Sequence, residues 1–388
     1  MPDPVAAVQA EFVRRFCETP LLVRSPGRVN LIGEHTDYNE GFVLPAAVDK
    51  AIYFGLSPRT DGRCELYALD LKDSYRTELD RLEKSGKRWP DYLLGVVDQV
   101  QKAGHAVPGF NCVFGGDVPI GSGMSSSAAI EAGLAFALNT LFGLDIPPLD
   151  LVKLAQKAEN EFVGVRCGIM DQFVNIFGRA GHVLKLDCRS LVHTYYPFDR
   201  RDLRIVLCDT KVKRELASSE YNVRRRQCEE GVSVLAQYRP GVKSLRDATP
   251  ELLERHKSEF DPLIYKRCFY VVQENERVGE ACRDLERSDF VSFGQRMNAS
   301  HSGLRDDYQV SSVELDILVE AAQGVKGVLG SRMMGAGFGG CTINLVEETA
   351  VEALVEAATR AYRDKMKTDP KAFISRLSAG TEVLAPEG

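Results

Sequence analysis

The sequence predicts a fold of mixed α-helices and β-strands that is divided into two domains. Short runs rich in β-branched residues alternate with longer amphipathic runs, without internal repeats or low-complexity segments. A chain of 388 residues exceeds the usual size of a single hydrophobic core. A polar stretch at 199–204 follows a predicted strand, which places the domain junction there. No Gly/Ser-rich linker marks this junction, so we expect the two domains to pack closely.

The individual elements follow from hydrophobic periodicity. Strands are predicted where a short apolar run is bounded by turn residues, at 21–24, 47–56, 63–69, 111–115, 182–186, 203–208 and 342–346. Helices are predicted where apolar residues recur every three or four positions, at 92–102, 126–142, 149–162, 215–237, 266–287, 312–323 and 351–365.

Composition and charge favour a small-molecule ligand. The 49 basic and 55 acidic residues leave a net charge of −6, which gives no broad attraction to nucleic acid or to an anionic membrane. No apolar run approaches the roughly 20 residues of a membrane span, and the first residues lack a secretion signal, so we expect a cytoplasmic protein. The ten cysteines are scattered singly from Cys17 to Cys341, which favours buried free thiols over zinc sites or disulfides.

The most informative segment is a serine loop at 116–129 that joins a predicted strand to a predicted helix. Its serines, Ser125 to Ser127, fall at the helix start, where unpaired N–H groups and the helix dipole favour an anion such as phosphate. Gly121 and Gly123 let the main chain approach a ligand closely, and the Ser127 hydroxyl suits a metal ion. The loop lacks the lysine of a Walker A motif. The alternative is an ordinary serine-capped helix after a glycine turn.

A second segment, the polar segment at 25–39, carries an arginine, two carboxylates, a histidine and two amides in a turn-rich stretch. Carboxylates that accept from hydroxyl groups reject analogues that lack those groups, so this composition fits a sugar. The alternative is a solvated loop in which Asp37 and Asn39 only form turns.

A third segment, the Asp171 segment at 167–173, follows a predicted helix that carries Glu159. Met170 and Phe173 flank Asp171, so its carboxylate is expected in a partly dry pocket with a cationic partner such as Arg28. A carboxylate held ionised beside a phosphate loop is what transfer of a phosphoryl group to a hydroxyl requires. The alternative is an Asp that caps a helix.

A fourth segment, the late glycine segment at 330–341, formally contains the dinucleotide fingerprint at Gly335, Gly337 and Gly340. A strand-like run follows it, whereas the fingerprint must open a helix, so a nicotinamide dehydrogenase is disfavoured. Two interpretations stay open: a glycine hairpin that approaches the active site, and a purely structural turn between two strands.

Together with 218–228, these four segments resemble galactokinases, which are members of the GHMP small-molecule kinase superfamily. The resemblance runs in order over nearly the whole chain. It implies an α+β, two-domain, GHMP-kinase-like fold: an N-terminal α/β domain (ribosomal protein S5 domain 2-like) at 1–205 that binds sugar and ATP, and a C-terminal ferredoxin-like domain at 206–388. The active site would lie between them. Relative to the usual motifs, Met124 replaces a leucine, Ala129 a serine, Met334 a threonine and Ala336 a glycine.

The resemblance also implies roles for individual residues. Asp171 and Arg28 correspond to the catalytic pair, and Ser127 and Glu159 to the residues that serve Mg²⁺. The residues that correspond to sugar contacts are Glu34, His35, Thr36, Asp37, Gly168 and Tyr221. Those that correspond to ATP contacts are Trp89, Gly121, Ser122, Gly123, Met124, Ser125, Ser126 and Ser127, with Trp89 near the adenine. A packing role for Trp89 stays open.

The implied activity is transfer of the γ-phosphoryl group of ATP to the anomeric hydroxyl of galactose. The implied ligands are galactose, ATP and Mg²⁺, with neither nucleic acid nor membrane, in a monomer or a weak homo-oligomer. Two alternatives stay open: an N-acetylgalactosamine kinase or other sugar-1-kinase of the superfamily, and a non-catalytic sensor of galactose and ATP. The presence of Ser125, Ser126, Ser127 and Ala128, with Arg28 and Asp171, favours an active kinase.

Overall fold

A computed structural model describes residues 3–119, 123–198, 200–212 and 217–385. The helices are α1 (Pro4–Phe16), α2 (Arg88–Lys102), α3 (Ser126–Phe142), α4 (Pro148–Lys157), α5 (Met170–Phe177), α6 (Ala217–Tyr238), α7 (Pro250–Arg255), α8 (Pro262–Glu286), α9 (Phe290–Asp306), α10 (Val313–Gln323) and α11 (Val351–Met366). The strands are β1 (Leu21–Asn30), β2 (Phe42–Val43), β3 (Pro45–Pro58), β4 (Arg63–Ala68), β5 (Asp73–Glu78), β6 (Phe110–Gly116), β7 (His182–Asp187), β8 (His193–Pro197), β9 (Leu203–Asp209), β10 (Val328–Met333), β11 (Cys341–Glu347), β12 (Lys371–Ser375) and β13 (Glu382–Val383).

The first half of the chain is built on a six-stranded sheet in the order β13-β1-β3-β6-β4-β5, in which only the β4–β6 pair is parallel. Neighbouring residues of a strand point to opposite faces, and both faces are covered. Tyr53 and Val113 pack with α1, whereas Phe54 and Phe114 belong to the main core, where α3 packs against β1 and β3. The sheet is therefore sandwiched between helices, and α3 begins at the end of the serine loop.

The second half contains a four-stranded antiparallel sheet in the order β10-β11-β9-β12. Val206 and Cys208 pack against α10 and α11 on one face. Ile205 and Leu207 point to the other face and join the main core together with Phe293 of α9. A smaller sheet, β2-β7-β8, lies beside α8.

The two halves share one continuous hydrophobic core, which includes Phe54 of β3 and Ile343 of β11. This confirms the expectation that they pack closely. The division at residue 205 stays a prediction. β9 runs through that position, and the chain returns to the first sheet at its end, where Val383 pairs with Val23 of β1.

Most of the predicted elements are present, with shifted ends. The predicted helix at 149–162 is α4 followed by a π-helical turn (Ala158–Val163), and α2 begins four residues earlier than expected, at Arg88. None of the ten cysteines forms a disulfide, as predicted; seven are buried, but Cys17 is exposed and Cys167 and Cys188 are partly buried. None of the helices in the described ranges is long and apolar enough to cross a membrane.

Candidate active site

A cavity of about 560 Å³ lies between the two halves of the chain. The first half contributes residues of the polar segment, the serine loop and the Asp171 segment. The second half contributes Tyr221 and Asn222 of α6, and Gly335 and Ala336 of the late glycine segment. All four segments, three from the first half and one from the second, therefore meet at one site.

The serine loop ends at the start of α3, which points into this cavity. Ser125 occupies the N-cap position in a left-handed conformation, but its side chain does not cap the helix. Its hydroxyl instead donates to Asp171 Oδ2. The Ser125 side chain thus leaves the first N–H groups of α3 uncapped, and a helix start of this kind binds anions. Gly123, Ser126 and Ser127 line the same wall of the cavity.

Arg28 connects the polar segment, the serine loop and the Asp171 segment. A β-bulge between Pro26 and Arg28 interrupts the pairing of β1 with β3, and such bulges redirect the following side chain. The Arg28 guanidinium then donates two hydrogen bonds to Asp171, from Nε to Oδ1 at 2.7 Å and from Nη2 to Oδ2 at 2.8 Å. Its Nη1 donates to the carbonyl of Gly123, and its main-chain N–H donates to the carbonyl of Met124 at 3.1 Å. The predicted pairing of Arg28 with Asp171 is confirmed.

The polar segment supplies three side chains with sharply different ionisation. Burial alone would raise the pKa of Glu34, but Arg332, the Gly335 amide and Arg28 outweigh it and hold that pKa below its ordinary value. Burial lowers the pKa of His35 to about 4, so this imidazole is neutral near pH 7. Burial, and then the charge of Asp171, raise the pKa of Asp37 to about 7.

His35 is buried in an aromatic cluster at the cavity wall. Its backbone is left-handed (φ 62°), and its Nδ1 lies 2.8 Å from the hydroxyl of Tyr38. The ring of Tyr221 lies 5.7 Å from the imidazole. Nε2 of His35 makes no hydrogen bond of normal geometry among the described residues, although the main chain of Ala336 lies near the imidazole and both residues line the cavity. A buried polar atom without a partner is costly, so a bound ligand is the natural partner of Nε2.

A second acidic group lies beside the serine loop. The π-helical turn after α4 carries Glu159, whose carboxylate bonds to the hydroxyl of Ser127 and accepts from Gln172 Nε2 at 2.8 Å. Burial, and then the charge of Asp171, raise the pKa of Glu159. The buried carboxyl of Glu131 lies against it, and its own pKa is raised by burial and by the charge of Glu159. A cation at Ser127 and Glu159 would relieve this concentration of negative charge. The donor set of hydroxyl and carboxylate oxygens suits Mg²⁺.

The late glycine segment joins β10 to β11, an antiparallel pair. Gly335, Gly337, Gly339 and Gly340 all have positive φ, and a Cβ on Gly337 would stand 2.1 Å from the Val310 carbonyl oxygen. The segment is thus a glycine hairpin between two strands that reaches the cavity, which is the first of the two interpretations left open and not a purely structural turn. The disfavoured dinucleotide fingerprint is absent, because no helix follows these glycines.

Four residues expected at the site either do not line the cavity or lie outside the described residues. Thr36 is fully buried, and its hydroxyl lies 2.8 Å from the Gly33 carbonyl oxygen and 2.6 Å from that of Phe42, so it holds the loop instead of facing the cavity. Trp89 packs against Phe114 and does not line the cavity; its role at the adenine stays a prediction. Gly121 and Ser122 lie outside the described residues.

Three arginines at the site were not predicted from the sequence. Arg88 and Arg166 line the cavity, and Arg332, completely buried, bonds to Glu34 at 3.1 Å. Arg332 stands within the late glycine segment, and a lone arginine in an apolar strand was a signal of a buried partner. Arg88 and Arg166 lie in ordinary polar sequence that carries no such signal.

Comparisons with known proteins agree with this geometry. Protein-family models match at three places: the galactokinase galactose-binding signature at residues 10–58, the GHMP kinase N-terminal domain at 91–179, and the GHMP kinase C-terminal domain at 281–364. A galactokinase of Roseiflexus sp. is 44% identical over 360 residues, which are 93% of this chain and 92% of that protein. The chain belongs to the galactokinase family.

Other known proteins support the assignment of this chain to the galactokinase family. The galactokinase of Clostridium beijerinckii is 39% identical and is matched over 98% of this chain and 100% of its own length. The crystal structure of Lactococcus lactis galactokinase complexed with galactose superposes with a TM-score of 0.93 at 36% identity, over 98% of this chain and 99% of that one. A mevalonate kinase at 18% identity and a TM-score of 0.67 shares the fold. The predicted two-domain GHMP-kinase fold is confirmed, and a dehydrogenase is excluded.

Proposed function

We propose that this galactokinase-family chain transfers the γ-phosphoryl group of ATP to the anomeric hydroxyl of D-galactose, which yields galactose 1-phosphate and ADP. The observation that carries the proposal is the Arg28–Asp171 pair, which stands between the start of α3 and the polar segment in one cavity. An anion-binding helix start and a hydroxyl-binding segment on either side of a carboxylate is the arrangement that phosphoryl transfer to a sugar requires.

Asp171 would accept the proton of the anomeric hydroxyl. The two hydrogen bonds from Arg28 fix the orientation of its carboxylate, and the Ser125 hydroxyl adds a third donor. In a loose transition state the carboxylate would mainly orient the hydroxyl and take the proton late. Because Arg28 also bonds to the Gly123 carbonyl, the acceptor carboxylate and the phosphate-binding backbone are held in fixed relation.

The nucleotide would lie along the serine loop. Residues Gly123 to Ser127, together with Gly121 and Ser122, would surround the ATP phosphates with main-chain N–H groups and hydroxyls. Trp89 would lie near the adenine, since it directly follows Arg88, which lines the cavity. Ser127 and Glu159 would hold Mg²⁺, which when bound neutralises phosphate charge. No cluster of three or more His, Cys, Asp or Glu ligands exists in the described ranges, but Mg²⁺ takes phosphate and water as further ligands.

The sugar would be recognised by Glu34, His35, Asp37, Gly168 and Tyr221. Two carboxylates and a histidine with a vacant Nε2 supply acceptors and a donor at fixed positions. A site that bonds each hydroxyl rejects a sugar that misplaces one, because its buried polar atoms are then left without partners.

A coupled assay of ADP release over a panel of hexoses tests the proposal. Galactose should be used with a kcat/KM roughly 10⁴-fold above that of glucose. Comparable use of both sugars would contradict the assignment of substrate. Preference for N-acetylgalactosamine would move the protein to the kinase of that sugar. Binding of galactose and ATP without ADP release would identify a sensor.

A further inference from the structure

The carboxylate of Glu34 is held from the opposite half of the chain. Its Oε1 accepts from Arg332 Nη2 at 3.1 Å and from the Gly335 amide at 2.7 Å. Both donors belong to the late glycine segment. Both of these hydrogen bonds reach Oε1, and Glu34 lines the cavity. One oxygen is therefore engaged in both bonds, and the other takes part in neither.

Arg332 is itself fixed. It is completely buried, and Nε donates to the Leu31 carbonyl at 2.8 Å, Nη1 to the Met333 carbonyl at 2.7 Å, and Nη2 to the Asn30 carbonyl. A guanidinium presents its donors in a rigid plane, so three carbonyl partners leave it one orientation toward Glu34. Arg332 thus binds the main chain at the end of β1 and presents a charge at a fixed position to the side chain of Glu34.

The main chain around Glu34 is anchored separately. The Tyr270 hydroxyl donates to the Glu34 carbonyl at 3.0 Å, and the Gly33 amide donates to Glu274 Oε1 at 2.9 Å. These contacts come from α8 and do not touch the Glu34 carboxylate. Backbone placement and carboxylate orientation therefore depend on different residues, which separate variants can test.

We propose that Arg332 is a positioning residue for sugar recognition, which fixes the Glu34 carboxylate so that Oε2 accepts a hydrogen bond from one sugar hydroxyl. The proposal rests on the proposed function. Pre-organised acceptors discriminate more strongly than mobile ones, because the carboxylate cannot follow a misplaced hydroxyl. An arginine of the second half would thereby set sugar specificity in the first half.

The test measures kcat/KM for galactose and for its monodeoxy analogues. In the wild type, the loss in kcat/KM relative to galactose should be largest for the analogue that lacks the hydroxyl bonded by Glu34. Glu34→Gln should identify this analogue, because it should reduce that loss roughly tenfold or more. Arg332→Lys keeps the charge but not the planar fork. It should reduce the same loss, raise the KM for galactose, and leave the KM for ATP within about twofold of the wild type.

Tyr270→Phe is the matched control, because it removes a buried hydrogen bond to the same residue without touching its carboxylate. It should lower thermal stability but keep the wild-type profile over the deoxy sugars. A profile in Arg332→Lys that equals the wild type, with lowered thermal stability alone, would overturn the proposal.

Glu34→Asp tests the same idea without altering the buried arginine, should Arg332→Lys not fold. If Arg332 and Gly335 hold the carboxylate, the shorter side chain stays with them and withdraws from the cavity, so discrimination is lost as in Glu34→Gln. Retained discrimination in Glu34→Asp would overturn the proposal. A wild type that fails to phosphorylate galactose would instead contradict the proposed function.

Discussion

Gly168 leaves space for the carboxylate of Asp37. A Cβ at position 168 would stand 1.7 Å from Asp37 Oδ2 and 2.5 Å from its Cγ, far inside any permitted contact. Both residues line the cavity. The polar segment and the Asp171 segment therefore meet here: the Asp37 carboxylate of the first occupies the space left by Gly168 of the second.

Replacement of this glycine tests the contact. Gly168→Ala should raise the KM for galactose by at least about tenfold, because Asp37 must rotate away from its position and would lose the hydrogen bond to the sugar that we propose for it. The KM for ATP should change little. Steady-state kinetics with each substrate varied in turn measures both.

Gly279→Ala is the control for this substitution. Gly279 lies within α8, where an added Cβ would meet nothing nearer than Arg283 Nη1 at 3.9 Å. This variant should keep wild-type kinetics and gain about 0.5–1 kcal/mol in free energy of unfolding, since alanine is the better helix former. A wild-type KM for galactose in Gly168→Ala would show that Asp37 does not contact the sugar from this position.

The pH dependence of galactose use should report on Asp37. Its pKa is raised from 3.8 to about 7, first by burial and then by the charge of Asp171. A protonated Asp37 loses acceptor capacity, so kcat/KM for galactose should rise with pH through about 7. His35 does not account for such a rise, because its pKa is lowered to about 4.

The effect of Asp37 on stability has the opposite pH dependence to its effect on kcat/KM. Between the ordinary pKa of 3.8 and about 7, the unfolded chain has released this proton and the folded chain has not. The contribution of Asp37 to the free energy of unfolding therefore falls as the pH rises across that window. Asp37→Asn should remove both effects; an unchanged pH profile of kcat/KM in this variant would refute the assignment.

The magnesium requirement should depend on Glu159. Glu159→Gln should raise the Mg²⁺ concentration for half-maximal activity by roughly tenfold or more, and excess Mg²⁺ should restore part of the rate. Glu161→Gln, on the same π-helical turn, is the matched control: its side chain accepts from Gln99 at 3.1 Å and does not line the cavity. Identical Mg²⁺ titrations of the two variants would exclude Glu159 as a ligand.

Trp89 is the single tryptophan and offers an optical test of the nucleotide position. Its indole donates to Asp73 at 2.9 Å, and its ring centroid lies 5.7 Å from that of Phe114. If the adenine binds beside it, ATP alone should change the tryptophan emission, and Trp89→Phe should raise the KM for ATP. Unchanged emission and an unchanged KM would leave Trp89 with a packing role.

The elements that sequence predicted well are those with a clear hydrophobic period. α3 begins at Ser126 and ends at Phe142 as predicted, because its large apolar residues Ile130, Leu134, Leu138 and Leu141 recur every three or four positions, although the small residues between them are buried as well. α9 was missed because it packs closely on β10 through Gly294, where a Cβ would stand 2.1 Å from the Leu329 carbonyl oxygen. Small and polar residues at such a contact erase the apolar pattern. β5 was missed because polar side chains occupy both of its faces.

Some contacts of the site could likewise be predicted from the sequence, and others could not. The pair Arg28 and Asp171 was predictable, because a carboxylate among apolar neighbours needs a cation and the polar segment offered one. The bond from Arg332 to Glu34 joins residues 298 positions apart, and no local pattern encodes it. Thr36 was misplaced for the complementary reason: it belongs to a polar segment, but main-chain carbonyls within that segment take up its hydroxyl.

In the proposed reaction, Asp171 is the group that accepts the proton from the sugar. Galactose-dependent ADP release by Asp171→Asn at saturating substrates measures this role, with ATP binding followed in parallel. We predict that kcat falls by roughly 10²- to 10⁴-fold while ATP binding persists. Near-normal turnover in Asp171→Asn would contradict the central claim.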